Sequence, residues 1–307
     1  MGMPLFFAKT GCKTVDELLD GGFPSGMLSL VFGDREIGKT WMCIQTAFHV
    51  AGVQKKRVLY VDTEVQLTDY TMPRYFSYFQ KRWCIPDDTL SRIDVVFTED
   101  IFDLCRLSGF ILQIEKKQAK TVPRIKFPSK WGDKRSDRPD LKESLQTSDW
   151  VYNSYLYKMI EEKKYSLVII DSWTSPVKQV IESEEQNYSG RRSLESPLFT
   201  SWSTIARRLN TSFVVTGHGV SFRDRIVPDP WGGNEVKGNF KIQLAIVRLR
   251  ADEKKKLQNQ LIGVDITELR HVLLKRHPYK KDIMPRLVRL KWNTGFVDVE
   301  REKSVKL

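Results

Sequence analysis

Gly33-Asp34-Arg35-Glu36-Ile37-Gly38-Lys39-Thr40 decides the reading of this 307-residue chain. Glycine, four residues, then Gly-Lys-Thr is the spacing of a phosphate-cradling loop, provided that a strand precedes it and a helix follows. Both conditions are met. Leu28-Ser29-Leu30-Val31-Phe32 is an apolar run of strand length, and Trp41 to Ala51 reads as a helix. Glycines let backbone N–H groups turn toward an anion, and a helix N-terminus adds partial positive charge. Lys39 is then placed for the β- and γ-phosphates and the Thr40 hydroxyl for Mg2+. The backbone of Gly33, Asp34, Arg35, Glu36, Ile37 and Gly38, with Trp41 just inside the helix, completes the expected cradle. The stretch reads as a nucleotide-binding site, with ATP and Mg2+ as the expected cofactors.

Outward from the loop, strands and helices alternate. Upstream, Thr10 to Gly22 is a short capped helix that stops at a glycine pair, and Phe23-Pro24-Ser25-Gly26 turns into the first core strand. Downstream, Val58-Leu59-Tyr60-Val61-Asp62 is a second strand ending at Thr63-Glu64, followed by a helix over Arg74–Arg82 and a strand over Ile93–Phe97. Thr98, with Glu99 and Asp100, is expected to cap a helix running toward Lys117. Tyr165 to Ser172 is a continuous apolar run ending in an acid, as in the buried centre of a parallel sheet. The sequence predicts an irregular Trp173–Glu195, a helix starting at Ser196-Pro197, a strand over Phe213–Thr216 and a second irregular stretch over Gly217–Gly238. Leu244–Leu249, His271–Lys275, Leu287–Leu290 and Phe296–Val299 read as shorter strands with hairpin connections. Alternation first and hairpins last predict an α/β fold: a mostly parallel central sheet flanked by helices and finished by antiparallel strands. The expectation is one domain over residues 1–307.

Composition narrows the class. With 41% hydrophobic and 29% charged residues and no apolar run near the ~20 residues of a membrane span, the chain reads as soluble, cytoplasmic and not membrane-bound. Cys12, Cys43, Cys84 and Cys105 have no paired metal spacing and read as free thiols. A net charge of +12 points to a polyanion partner. Much of it sits in a basic insertion at about 116–148, where Lys116–Lys142 holds ten Lys/Arg, three Asp and three Pro without apolar period. Within it Arg124, Lys126, Lys130 and Lys134 lie beside Phe127 and Trp131, a mixture suited to phosphate neutralisation and base stacking. Gly219–Gly238, with Arg223, Arg225, Trp231 and Lys237, is a second candidate nucleic-acid surface, and the basic cluster from Lys254 to Lys281 a third.

In their order these motifs resemble the ATPase core of the RecA/RadA recombinase superfamily, and most closely its archaeal RadA and RadB branch. The likeness rests on Thr10-Gly11 through Gly21-Gly22, the phosphate loop, Tyr60 to Glu64, Leu167 to Ser172, Gly190-Arg191-Arg192-Ser193-Leu194, Val214 to His218 and Gly232-Gly233-Asn234. It spans about residues 10–300 apart from the insertion. The resemblance implies that Glu64 is the catalytic carboxylate that polarises the attacking water and that Asp171 holds the hydration shell of Mg2+ beside Thr40. It also implies that Arg191 and Arg192 end one DNA-binding loop and Gly232–Asn234 another. His218 stands where the family places a phosphate-sensing amide. An imidazole there still donates a hydrogen bond, with a strength expected to depend on pH. Neither an N-terminal helix-hairpin-helix domain nor a Phe-x-x-Ala segment precedes the core, so filament assembly is not expected by the usual route. The implied function is a slow, DNA-stimulated ATPase acting as a recombinase paralog in recombinational repair, associated with the nucleoid. Its expected partners are single- or double-stranded DNA and a full-length recombinase or a second copy of itself. A non-hydrolysing ATP-binding regulatory module and a KaiC-like signalling ATPase or kinase are the alternatives.

Overall fold

The structure, a computed structural model, describes residues 5–98, 100–117, 120–126, 149–180, 188–220, 228–258, 260–261, 263–280 and 284–299. The first half contains α1 (Lys13–Leu18), β1 (Leu28–Gly33), α2 (Lys39–Phe48), β2 (Val58–Asp62), α3 (Thr71–Trp83), β3 (Ile93–Phe97) and α4 (Ile101–Ser108). Strands β4 (Ile111–Lys117) and β5 (Lys120–Lys126) follow, then α5 (Tyr155–Lys163), β6 (Leu167–Asp171), α6 (Thr174–Val180), α7 (Tyr188–Leu209) and β7 (Ser212–Val220). The chain closes with α8 (Gly233–Asn239), β8 (Ile242–Arg248), α9 (Ala251–Gln258), β9 (Leu269–Arg276), β10 (Arg286–Lys291) and β11 (Gly295–Asp298).

One ten-stranded sheet carries the molecule, in the order β11-β10-β9-β8-β1-β7-β6-β2-β3, with the short strand Asp229–Pro230 paired to β7. From β8 to β3 every pairing is parallel, while β9, β10 and β11 join antiparallel. The expected architecture is borne out. Side chains alternate across the sheet. Leu30, Phe32, Val61 and Ile170 enter one core with α4, α5 and α7. Val31, Tyr60, Ile169 and Val214 enter a second core with α1 and α2. The central parallel strands β1, β2 and β6 are buried on both faces, which is why they read as nearly unbroken apolar runs.

Four local expectations are corrected. Asp100, not Thr98, caps α4 by accepting the Asp103 N–H at 2.9 Å, and the helix stops at Ser108 because Gly109 takes a left-handed φ of 102°. The chain then turns into β4, which pairs with β5 as an antiparallel hairpin, so the first part of the insertion is regular rather than patternless. Helix α7 begins at Tyr188 and carries Pro197 inside it, in place of a start at Ser196-Pro197. Leu194 and Leu198, both buried, already lie one turn apart on its core face, and the burial of that face outweighs the backbone bond that proline removes. Finally, Trp173–Glu195 and Gly217–Gly238 hold α6, the start of α7, the end of β7 and α8 on their described residues.

Candidate nucleotide site

Four neighbouring parallel strands end side by side. In the register Gly33 lies beside His218, and Asp62 beside Asp171. The C-terminal ends of β1, β7, β6 and β2 therefore bring four separate sequence motifs to one rim, the place where open α/β sheets bind ligands. Strand β1 can approach β8 closely because Gly33 has no Cβ, and one would collide with the Ile246 carbonyl. Beyond it, Glu36 with φ 57° and Gly38 with φ 111° are both left-handed, which turns successive N–H groups inward as an anion nest. Gly38 is the N-cap of α2. Lys39 Nζ donates to the Gly33 carbonyl at 3.2 Å and the Asp34 carbonyl at 2.6 Å. Burial pulls the Lys39 ammonium below its usual range, opposed by the charges of Asp171, Glu64 and Asp34.

Asp171 is buried, and its carboxylate accepts hydrogen bonds from the Tyr60 hydroxyl at 2.7 Å, from Thr216 and from Thr40. Burial raises its pKa, while those three hydrogen bonds oppose the rise. Glu64 is exposed and sits across the rim, with Oε1 accepting from Ser172 Oγ at 3.0 Å and Oε2 from Gln66 Nε2 at 3.1 Å. Its loop is fixed by Asp62, whose buried carboxylate accepts the N–H groups of Glu64 (3.0 Å), Gln66 (2.6 Å) and Leu67 (2.8 Å). Burial lowers the His218 pKa to about 4, with Lys178, Lys39 and Arg35 adding to the effect. Without nucleotide the imidazole is therefore neutral in the physiological range.

A cleft of about 640 Å³ joins these groups. Lys39, Thr40, Glu64, Asp171 and His218 line one part, and Arg35, Glu36, Gly38 and Trp41 also face it. Ile37 does not line it, since its side chain is fully buried in the core beneath α2. Sequence reading missed Ser172, Ser175, Tyr75 and Trp292, which line the cleft as well. Ser172 had a signal, being next to the strand-end acid; Trp292, on the turn between β10 and β11, had none. Among the described residues no cluster of three or more His, Cys, Asp or Glu could hold a metal unaided. One hydroxyl and one carboxylate, Thr40 and Asp171, suit Mg2+, which keeps several waters and shares the substrate's phosphates.

Residues 7–220 match the family model described as an AAA domain. The chain belongs to the AAA domain family. On that branch it is similar to the DNA repair and recombination protein RadB of Thermococcus gammatolerans, 30% identical over 145 residues, 46% of this chain and 62% of the relative. It is also similar to the DNA repair protein RAD51 homolog 4 of Bos taurus, 36% identical over 100 residues, 31% of this chain and 29% of the relative. The chain thus spans less than two thirds of the length of these curated relatives. A crystal structure of the RadB recombinase superposes with a TM-score of 0.63 at 22% identity, covering 96% of this chain and all of that one. The fold and the RecA/RadA, RadB-like placement expected from sequence are borne out.

The expected nucleic-acid residues divide. Trp231 is corrected outright: its ring is only 3% exposed and packs on Trp173 with centroids 5.2 Å apart, so it cannot stack on a base. Arg191 is also withdrawn from the surface, 8% exposed, with Nε 3.4 Å from the buried Glu195 carboxylate and its guanidinium over the Trp231 ring. Arg191 was misread because its charged flank suggested a loop where the chain forms α7, and Trp231 because the turn before α8 is packed against Trp173 rather than exposed. Arg192 remains on the surface, paired with Glu235 at 2.6 Å, and Lys237 is half exposed, 3.8 Å from Asp229. Arg124 and Lys126 lie on β5, opposite Gln113 and Ile111 of β4. Lys130, Lys134, Arg223 and Arg225 lie outside the described residues. Of the C-terminal cluster, Lys275 is tied to Asp229 at 2.7 Å and Lys280 to Asp20 at 3.4 Å. Among the described residues no helix is long and apolar enough to cross a membrane.

Proposed function

We propose that this cleft binds ATP with Mg2+, hydrolyses it slowly and is stimulated by DNA, and that the protein acts as a recombinase paralog in recombinational repair. The observation that carries this reading is the meeting of Lys39, Thr40, Asp171, Glu64 and His218 in one cleft from four strand ends. Lys39, already aimed along the loop by two carbonyls, would exchange them for the β- and γ-phosphate oxygens. Thr40 and Asp171 would hold Mg2+, which supplies charge neutralisation on the phosphates. Glu64, positioned by Asp62 and Ser172, would accept a proton from the attacking water. Neutral His218 would donate one hydrogen bond to a phosphate oxygen. Its own carbonyl accepts the Trp231 N–H at 2.9 Å, which links the phosphate end of the cleft to the Gly232–Gly233 turn.

A solvent-facing carboxylate at the cleft favours turnover over a purely regulatory use of ATP. The net charge of +12 and the names of the relatives favour DNA over a phospho-acceptor protein as the second ligand. A full-length recombinase or a second copy of this chain is the expected protein partner, and the nucleoid the place of action. The test is Glu64→Gln, an isosteric amide that cannot take the proton. Nucleotide titration and phosphate release should show binding kept and turnover lost; a variant turning over at the wild-type rate would remove Glu64 from the mechanism.

A further inference from the structure

Behind the phosphate loop lies a guanidinium that the nucleotide site does not itself use. Arg270, at the start of β9, is 8% exposed. Its Nε donates to the Ile37 carbonyl at 3.2 Å, and its Nη1 to the carbonyls of Thr267 at 2.6 Å and Leu269 at 2.9 Å. The adjacent carboxylate, Glu268, is taken by Arg289 on β10 at 2.5 Å. Among the described residues this buried cation is thus held by backbone oxygens alone, and one of those oxygens belongs to the loop.

The bond has a consequence on the loop's other side. The peptide unit linking Ile37 to Gly38 is planar and trans, so its carbonyl and its N–H point in opposite directions. A carbonyl drawn back to Arg270 turns the Gly38 N–H away from β9. Gly38 itself lines the cleft. Gly38, which flanks this peptide, does not fix its orientation unaided: it sits at φ 111° and, having no Cβ, leaves a flip of the unit sterically open at that end. Only one of the two orientations presents an N–H to an anion.

We propose that Arg270 is a positioning residue for the phosphate cradle: by holding the Ile37 carbonyl it keeps the Gly38 N–H facing the polyphosphate, and so sets nucleotide affinity. The inference rests on the nucleotide-binding reading above. It also gives the antiparallel strands beyond β8 a part in the site. A donor that meets the phosphates alike in ground and transition states raises KM when lost and leaves kcat in place.

The experiment is calorimetric titration of ATP and of inorganic tripolyphosphate into wild-type, Arg270→Met, Arg270→Lys and Arg289→Met proteins, with steady-state turnover and thermal melts on each. Arg270→Met should bind both ligands about tenfold more weakly, with kcat within twofold of wild type. Arg270→Lys, which can reach one carbonyl but not three, should fall about threefold and keep a near-native melt. Arg289→Met, which breaks the Glu268 pair without touching the loop, should bind as wild type. A lower melt with unchanged affinity in Arg270→Met would make the residue merely structural and overturn the proposal. Should that variant fail to fold, undiminished affinity in Arg270→Lys would overturn it equally. A wild-type protein that binds neither ligand would overturn the nucleotide reading itself.

Discussion

Lys39→Met should separate the loop's two uses of its lysine. In the structure the ammonium donates to two loop carbonyls, 3.2 and 2.6 Å away, and burial disfavours its charge. Methionine is of similar length and removes both the charge and its desolvation cost, so the folded protein without nucleotide should change in stability by only about 1 kcal/mol. Binding should suffer far more. Each hydrogen bond to a charged group contributes roughly 1.5–3 kcal/mol, and two bonds to phosphate replace two to carbonyls, so a net loss of about 3 kcal/mol follows. That is a fall of about 150-fold in affinity. Titration calorimetry with ATP and Mg2+, beside urea unfolding of the same preparation, reads both quantities. Binding within threefold of wild type would refute the assignment of Lys39 to the phosphates. A stability loss of several kcal/mol would show instead that the lysine mainly holds the loop together.

Three other outcomes are expected. Burial raises the Glu195 carboxyl to about 8, and among the described residues its oxygens accept no hydrogen bond, so burial outweighs the nearby Arg191. A raised acid stabilises below its unfolded pKa and loses that contribution as pH rises to the folded value. His49 and His218, both lowered to about 4, contribute in the opposite sense and are complete above about 6.5. Between pH 6.5 and 8, wild-type stability should therefore fall by about 1.5 kcal/mol on account of Glu195. Glu195→Gln should flatten that slope in urea melts, and an unaltered slope would exonerate the residue. Trp231→Ala should cost about 3–5 kcal/mol in chemical unfolding, because the ring fills a core site against Trp173; a stable variant that loses only DNA affinity would restore the ring to the DNA surface. Reversing Lys126, Lys130 and Lys134 to Glu should lessen the log–log salt slope of single-strand binding by about 2, at roughly 0.7 per phosphate contact. An unchanged slope would shift the contact to Arg192, Lys237 or the residues between β7 and Asp229.

The parallel half of the fold was legible because strands buried on both faces leave unbroken apolar runs, as Leu28–Phe32 and Leu167–Ile170 do. The nucleotide motifs were legible for a related reason. Each is a strand end, and the register that aligns Gly33 with His218 and Asp62 with Asp171 gathers them without further instruction. What escaped were features decided by tertiary contact. Nothing local distinguishes Arg191 and Trp231 from loop residues; the packing of α7 and α8 around Trp173 buries them. Pro197 looked like a helix start because its fixed φ suits a first turn, yet Leu194 had already begun the buried face. Arg270 has no local signal, since its target is a carbonyl 233 residues away in sequence.

The central claim is that this cleft turns over ATP and that DNA governs the rate. Steady-state phosphate release by the wild-type protein, with Mg2+ and ATP and with or without single-stranded oligonucleotide, tests it most directly, with Glu64→Gln as the blank. Slow release that rises several-fold with oligonucleotide, and declines again as salt is raised, is the expected result. Release at the level of the Glu64→Gln blank under both conditions, from a protein that still binds ATP, would contradict the account.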